Sequence, residues 1–150
     1  MHDQFGPEGI VVDKAIGFWV HRVYQASRNE MFRAFREVGE EVTPEQWAVL
    51  IRLWELDART QTQLAEDTLR DKPTMSRILD GMEARGMVER RVDADDARVR
   101  IVKLTRHGRT LQKKLVPVAK RLVERMVAGI PPDALLTTRT ALRTMFANLS

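Results

Sequence analysis

Residues 60–105 read TQTQLAEDTLRDKPTMSRILDGMEARGMVERRVDADDARVRIVKLT, and the order of stops and starts in this stretch decides the fold. Thr60 followed by Gln63 is a capping-box pair, and it opens a short helix carrying Leu64 and Ala65. After only a few residues Asp71 is placed to cap a second helix, with Pro73 in its first turn, where a missing N–H costs little. Met75, Ile78, Leu79 and Met82 then recur every three or four residues along one side. Gly86 suits the left-handed residue that stops such a helix. Residues 87–92 are strand-like and residues 99–104 are rich in β-branched side chains. The polar run Asp93-Ala94-Asp95-Asp96-Ala97 lies between them, so the pair is predicted as a hairpin with a long tip.

Outward from this unit everything reads as helix. Thr43, Pro44 and Gln46 form a second capping pattern, and Trp47, Leu50, Ile51 and Trp54 make one apolar stripe behind it. Residues 11–38 carry Ile16, Trp19, Val20, Val23, Met31, Phe35 and Val38 at helical spacing, ended by Gly39. On the other side Thr105 caps a long helix with Leu111, Leu115, Val118, Leu122 and Met126 on one face. Pro117 inside it predicts a bend or local break. Gly129-Ile130-Pro131-Pro132 separates it from a last helix bearing Leu135, Leu142, Met145, Phe146 and Leu149. The fold class is therefore mainly α: a winged helix-turn-helix with a small β-hairpin wing. Within one unit of 1–150, the lobe occupies 43–105, and 11–38 with 106–150 form a helical dimerisation region. The terminal helices have apolar stripes with no sheet to cover all of them, and an interface shared by two protomers would bury the remainder.

Composition narrows the function. The chain has 150 residues, 43% of them hydrophobic and 31% charged, which fits a globular domain with a real core. Its first residues, MHDQFGPEGIVVDK, lack the basic and apolar blocks of a secretory signal, and no apolar run approaches the ~18 residues of a membrane span. A cytoplasmic location and no membrane partner are expected. With no cysteine there is no disulfide, thiolate metal site or cysteine redox switch. His2, His21 and His107 are far apart, without metal-ligand spacing. No G-x-G-x-x-G or GK[ST] loop occurs, and the paired acids Glu40-Glu41 and Asp95-Asp96 read as solvated surface. No catalytic residue, metal or cofactor is expected.

The net charge of +4 is unevenly distributed: residues 97–150 hold 12 Lys and Arg against Glu124 and Asp133 alone, leaving 13 basic and 19 acidic residues in 1–96. Such asymmetry suits a polyanion, although a basic helix face is often only solvated. The helix starting at Lys72 is of a width to enter the ~12 Å major groove of DNA. Its first turns carry Lys72, Thr74, Ser76 and Arg77, cations for phosphate or guanine and hydroxyls for phosphate or base. The hairpin is basic on both arms, through Arg90, Arg91, Arg98 and Arg100. Its acidic tip looks wrong for DNA, but a carboxylate beside Arg98 can hold the guanidinium in one orientation. A merely charged, solvated turn is the competing reading. Double-stranded DNA is the expected partner; the rival is a helical dimer of winged fold that binds a protein instead.

The ordered series Gln63-Leu64-Ala65-Glu66, Asp71-Lys72-Pro73-Thr74-Met75-Ser76-Arg77, residues 82–90 (MEARGMVER), Asp96-x-Arg98 and Leu104-Thr105-x-x-Gly108 resembles the MarR-type (multiple antibiotic resistance regulator) transcription factors. The resemblance implies a homodimer built by the first, fifth and sixth helices, acting on a pseudo-palindromic operator and more often repressing than activating. It assigns Thr74, Ser76 and Arg77 to the major groove and Asp96 and Arg98 to the wing. It also implies a cleft for small aromatic or anionic effectors. Trp19, His21, Arg22, Trp47 and Trp54 offer aromatic walls and charge for one, though the tryptophans lie on apolar stripes that core packing explains as well. One departure stands out: Thr68-Leu69-Arg70 replaces the glycine common between the two helices of the reader, which predicts a more helical connection.

Overall fold

The computed structural model describes residues 4–7 and 9–150, so His2 lies outside the described residues. A small antiparallel hairpin, β1 (Phe5–Gly6) and β2 (Gly9–Ile10), leads through a single 3-10 turn into α1 (Ile16–Glu37). The helix starts later than residue 11 because residues 12–14 form a separate 3-10 turn and Ala15 is extended, at ψ 113°, without a capping side chain. Gln4 compensates: its Oε1 accepts from the N–H of Ile16 at 3.3 Å.

The other helices follow their caps. In α2 (Pro44–Glu55), Gln46 N–H donates to Thr43 Oγ1 at 3.2 Å and Thr43 N–H to Gln46 Oε1 at 3.1 Å. Thr60 and Gln63 repeat the reciprocal pair at 3.0 and 2.9 Å to open α3 (Gln61–Asp67). Each box satisfies two donors that the helix geometry orphans. Asp71 caps α4 (Lys72–Ala84) by accepting from Thr74 N–H at 2.7 Å. Gly86, at φ +66°, closes that helix in the left-handed region, and β4 (Val88–Val92) follows at once.

The wing has one strand more than a hairpin. β5 (Arg100–Leu104) lies between β4 and a two-residue strand, β3 (Arg59–Thr60), all antiparallel, with Arg90 opposite Val102 and Arg59 opposite Val102 on its other edge. β3 runs directly into the Thr60 cap, so its two residues carry no periodicity of their own. Asp57 anchors the turn before it, its Oδ1 accepting from Ala58 N–H at 2.8 Å and Leu104 N–H at 2.9 Å.

Thr105 then starts α5 (Arg106–Met126), accepting from Gly108 N–H at 3.0 Å. The approach to β4 is close: a Cβ on Gly108 would fall 2.1 Å from the backbone oxygen of Met87, so only glycine fits. The helix continues through Pro117 without the expected break. Pro117 is exposed, so the carbonyl it leaves without a helical donor is on the wet side of the helix. α6 (Pro132–Leu149) completes the chain.

One core joins these parts. Leu50, Leu53, Leu64, Met75, Leu79, Met82, Val102 and Leu104 from the lobe are buried together with Phe35 of α1 and Leu111 and Leu115 of α5. Each such side chain withdrawn from water contributes ~1.5–3 kcal/mol. The first half of α1 and the whole of α6 stay outside it: Trp19, Val20 and Val23 are exposed, and α6 buries no residue.

Candidate nucleic-acid interface

α4 presents its buried side, Met75, Leu79 and Met82, to the core, which leaves Lys72, Pro73 and Arg77 in solvent and Thr74 and Ser76 half-buried. A short chain of polar contacts orders the exposed start. Thr74 Oγ1 donates to Asp71 Oδ2 at 2.9 Å, and Arg77 Nη2 donates to Thr74 Oγ1 at 3.4 Å. The amide of Thr74, then its hydroxyl, hold the Asp71 carboxyl below the usual carboxylate range. Asp71 is thus occupied as a cap, and the cations are left for an incoming anion.

The connection from α3 is not more helical. Leu69 takes the left-handed conformation at φ +54°, and Arg70 N–H reaches back to the oxygen of Ala65 at 2.9 Å. This is the turn a glycine would make, closed by the same long-range bond. Packing of α3 against α4 fixes the sharp reversal, and Leu69 accepts the strain with its side chain in solvent.

At the wing tip, Asp93 Oδ1 accepts from Asp95 and Asp96 N–H at 2.8 and 3.0 Å, which turns the chain. Asp96 Oδ1 in turn accepts from Arg98 N–H at 2.9 Å and Arg98 Nε at 3.2 Å. The Arg98 guanidinium keeps the Asp96 carboxyl low, and its own side chain stays 91% exposed. An oriented but solvated arginine results. Arg98, Arg100 and Lys72 line one recess of about 330 Å³ together with Thr60, Gln61 and Thr62 at the start of α3. The sequence reading named the three cations and missed the α3 residues. The Thr60 capping box was the available signal, because it placed three polar residues at a helix start beside them.

Two other wing arginines are not free. Arg91 pairs with Glu89 at 2.7 Å. Arg90 is bound to α4: its Nε and Nη2 donate to Glu83 Oε2 at 2.9 and 2.6 Å, and its Nη2 also donates to Asp80. This guanidinium, with the backbone N–H of Arg90 second, holds the Glu83 carboxyl below its ordinary range.

The expected effector residues do not share one place. Trp47 lines a cleft of about 330 Å³ between α1, α2 and the α3–α4 turn, with Tyr24, Arg28, Met31, Glu45 and Arg70. Arg28 Nη1 donates to Glu45 Oε1 at 2.6 Å, and Arg70 Nη2 stands 3.8 Å from the same oxygen. Burial pushes the Glu45 carboxyl up, but its hydrogen bonds, from Arg28 first, bring it below the usual value. Trp54 stacks edge-on to Trp47 at 5.5 Å and donates from Nε1 to Gly108 O at 3.0 Å, which makes it a strut to α5. Trp19 lines a separate apolar groove between α1 and α6, with Arg22 over its ring at 5.8 Å and over Phe18 at 5.2 Å, while His21 is exposed. Among the described residues no group of His, Asp and Glu could hold a metal ion, and no helix is long and apolar enough to cross a membrane.

Known proteins share this arrangement. A solved probable transcriptional regulator from Pseudomonas aeruginosa superposes with a TM-score of 0.80 at 28% identity, covering 89% of this chain and 98% of that one. The transcriptional repressor CouR of Rhodococcus jostii, solved on a 23-mer DNA duplex, gives 0.76 at 26% identity over 92% of this chain and 94% of its own. In sequence, the organic hydroperoxide resistance transcriptional regulator of Bacillus subtilis is 28% identical over 95 residues, 62% of this chain and 65% of that regulator. Residues 42–100, from the approach to α2 through the wing, match the MarR family model, and over 89% of the chain the winged helix-turn-helix fold is that of the solved regulator.

Proposed function

We propose that the protein is a sequence-specific DNA-binding regulator, a repressor that occupies a pseudo-palindromic operator as a homodimer and is released by a small molecule. The observation that carries the DNA reading is the convergence of Lys72, Arg98 and Arg100 on one recess beside the exposed start of α4. Lys72 and Arg100 take backbone phosphates there, Thr74, Ser76 and Arg77 face base edges in the major groove, and Arg98, steadied by Asp96, reaches the minor groove. CouR, a structural relative described as a repressor and solved with DNA, supports the same use of the fold.

The dimer is supported by what one protomer leaves uncovered. Eighteen residues of α6 bury nothing, and Leu136, Leu142 and Phe146 face water together with Trp19, Val20 and Val23 of α1. Apolar surface on this scale calls for a second copy. The effector enters the cleft at Trp47, between the Tyr24 and Trp47 rings and the Arg28–Glu45–Arg70 cluster. The protein works in the cytoplasm, with no chemistry of its own.

Fluorescence anisotropy with labelled duplex tests the DNA reading. Binding to random duplex at low salt, falling steeply and log-linearly as salt rises, is expected; no binding at micromolar protein would point to a protein partner. On a duplex selected by the wild type from a random pool, Arg77→Ala and Arg98→Ala each weaken binding by ~1–3 kcal/mol, and Arg77→Ala also relaxes base preference. Unchanged affinity in both variants removes these two assignments.

A further inference from the structure

Arg90 sits on the wing, yet its charge is taken up by α4. The Glu83 carboxylate takes both its Nε and Nη2, and Asp80, one turn earlier on the same flank of α4, takes Nη2 as well. Glu83 Oε1 also accepts from the Arg90 backbone N–H at 2.9 Å, so one carboxylate grips a strand residue by main chain and side chain together. Arg90 is only 19% exposed at its side chain, against 91% for Arg98. Two acids on the reading helix neutralise one cation of the wing. The fork of two guanidinium donors, Nε and Nη2, closes on the single oxygen Oε2 while Oε1 holds the main chain, so orientation is fixed as well as distance.

We infer that Arg90, Asp80 and Glu83 form a clamp that sets the angle between the wing and the reading helix, making Arg90 a positioning residue for DNA recognition rather than a phosphate contact. Arg90 pairs with Val102 of β5, so the clamp holds both long strands of the wing to α4. Its leverage is large. At ~3.3 Å per extended residue the base of the tip at Asp93 lies on the order of 10 Å beyond Arg90, with Val99 hydrogen-bonded opposite it, so a tilt of about 5° moves Arg98 by roughly 1 Å. A binding site tolerates displacements of about 0.5 Å. Without the clamp, α4 and Arg98 cannot hold their two grooves in one fixed relation.

The inference rests on the DNA reading above, and the experiment separates the two. The probes are a duplex selected by the wild type from a random pool and an unselected duplex of equal length. In Asp80→Asn/Glu83→Gln the amides keep acceptors, but two negative charges near DNA are gone. Simple electrostatics makes this variant bind both duplexes more tightly and equally so. The clamp predicts instead that the ratio of selected to unselected affinity falls by about tenfold or more, the size of one lost base contact, while affinity for the unselected duplex holds or rises. Arg90→Gln should lower the same ratio with the slope of log affinity against log salt unchanged. A slope smaller by about 0.9 would instead report a lost phosphate contact and overturn the assignment, as would an unchanged ratio in the double variant. Arg90→Lys, which keeps the charge and the fold but loses the fork, should fall between, and thermal unfolding followed by circular dichroism confirms that each variant is folded. A wild type that selects no duplex overturns the DNA reading and this inference with it.

Discussion

α4 and α6 are both amphipathic helices opened by a proline in the first turn, and they end in opposite situations. Met75, Leu79 and Met82 of α4 are fully withdrawn from water by α2, α3 and the wing, whereas Leu136, Leu142 and Phe146 of α6 remain about half exposed and no residue of that helix is buried. α1 contains both situations: Phe35 near its end is in the core, while Trp19 and Val23 near its start are not. An apolar stripe states that a face will be covered; it does not state whether the same chain covers it. The lobe closes its core with the end of α1 and the start of α5, while the start of α1 and all of α6 stay uncovered within the chain.

The comparison is broken most severely at Phe35. Its ring is buried against Trp47, 5.0 Å away between centroids, in a core that α1, α2 and α5 share. Phe35→Ala should cost ~3–5 kcal/mol in urea unfolding, because the cavity opens where three helices meet and cannot close around the missing ring. A cost below about 1 kcal/mol would mean that the C-terminal half of α1 is not part of the reader's core. On α6 the expected response is different in kind. Leu142→Glu places a charge in the groove between α1 and α6 and should weaken self-association by roughly 2–3 kcal/mol in sedimentation. The melting of the reader should barely move when it is followed at a concentration where both proteins are monomeric. A variant that stays dimeric and loses reader stability instead would erase the distinction between the two regions.

Legibility in the sequence follows the range of the interaction. The caps at Thr43, Thr60, Asp71 and Thr105 were readable because each joins residues three apart in the chain. The wing was readable as two β-rich runs, but β3 was not, since its two residues gain strand character only from Val102 and Ile101 far along the chain. Arg90 was legible only as one of the wing's basic residues, because its partners, Asp80 and Glu83, lie across a helix end and a turn. The cleft at Trp47 draws on α1 about two turns beyond Trp19, His21 and Arg22. Trp19, His21 and Arg22 were the conspicuous aromatic and basic cluster, but Tyr24, Arg28 and Met31 are the residues that meet α2. Periodicity gives the stripe along a helix and leaves open how far along it a neighbour crosses.

The smallest effect concerns the connection that the absence of glycine made ambiguous. Leu69 holds φ +54° with its side chain 72% exposed, so it gains little packing for a backbone conformation that L residues avoid at ~1–2 kcal/mol. Leu69→Gly removes that strain and adds some unfolded-chain entropy, against which the mutation loses a few tenths of a kcal/mol. The net expectation is a stabilisation of about 1 kcal/mol in urea unfolding, with the Arg70–Ala65 backbone bond kept. Ala at the same position keeps the Cβ and should leave stability nearly unchanged, so the pair isolates backbone strain from the loss of an exposed leucine. Should Gly and Ala behave alike, the turn is not left-handed in solution, and the connection between α3 and α4 is the more helical one that the sequence suggests. The outcome bears on the reader's geometry, because Arg70 and the Asp71 cap follow directly and the start of α4 goes where this turn sends it.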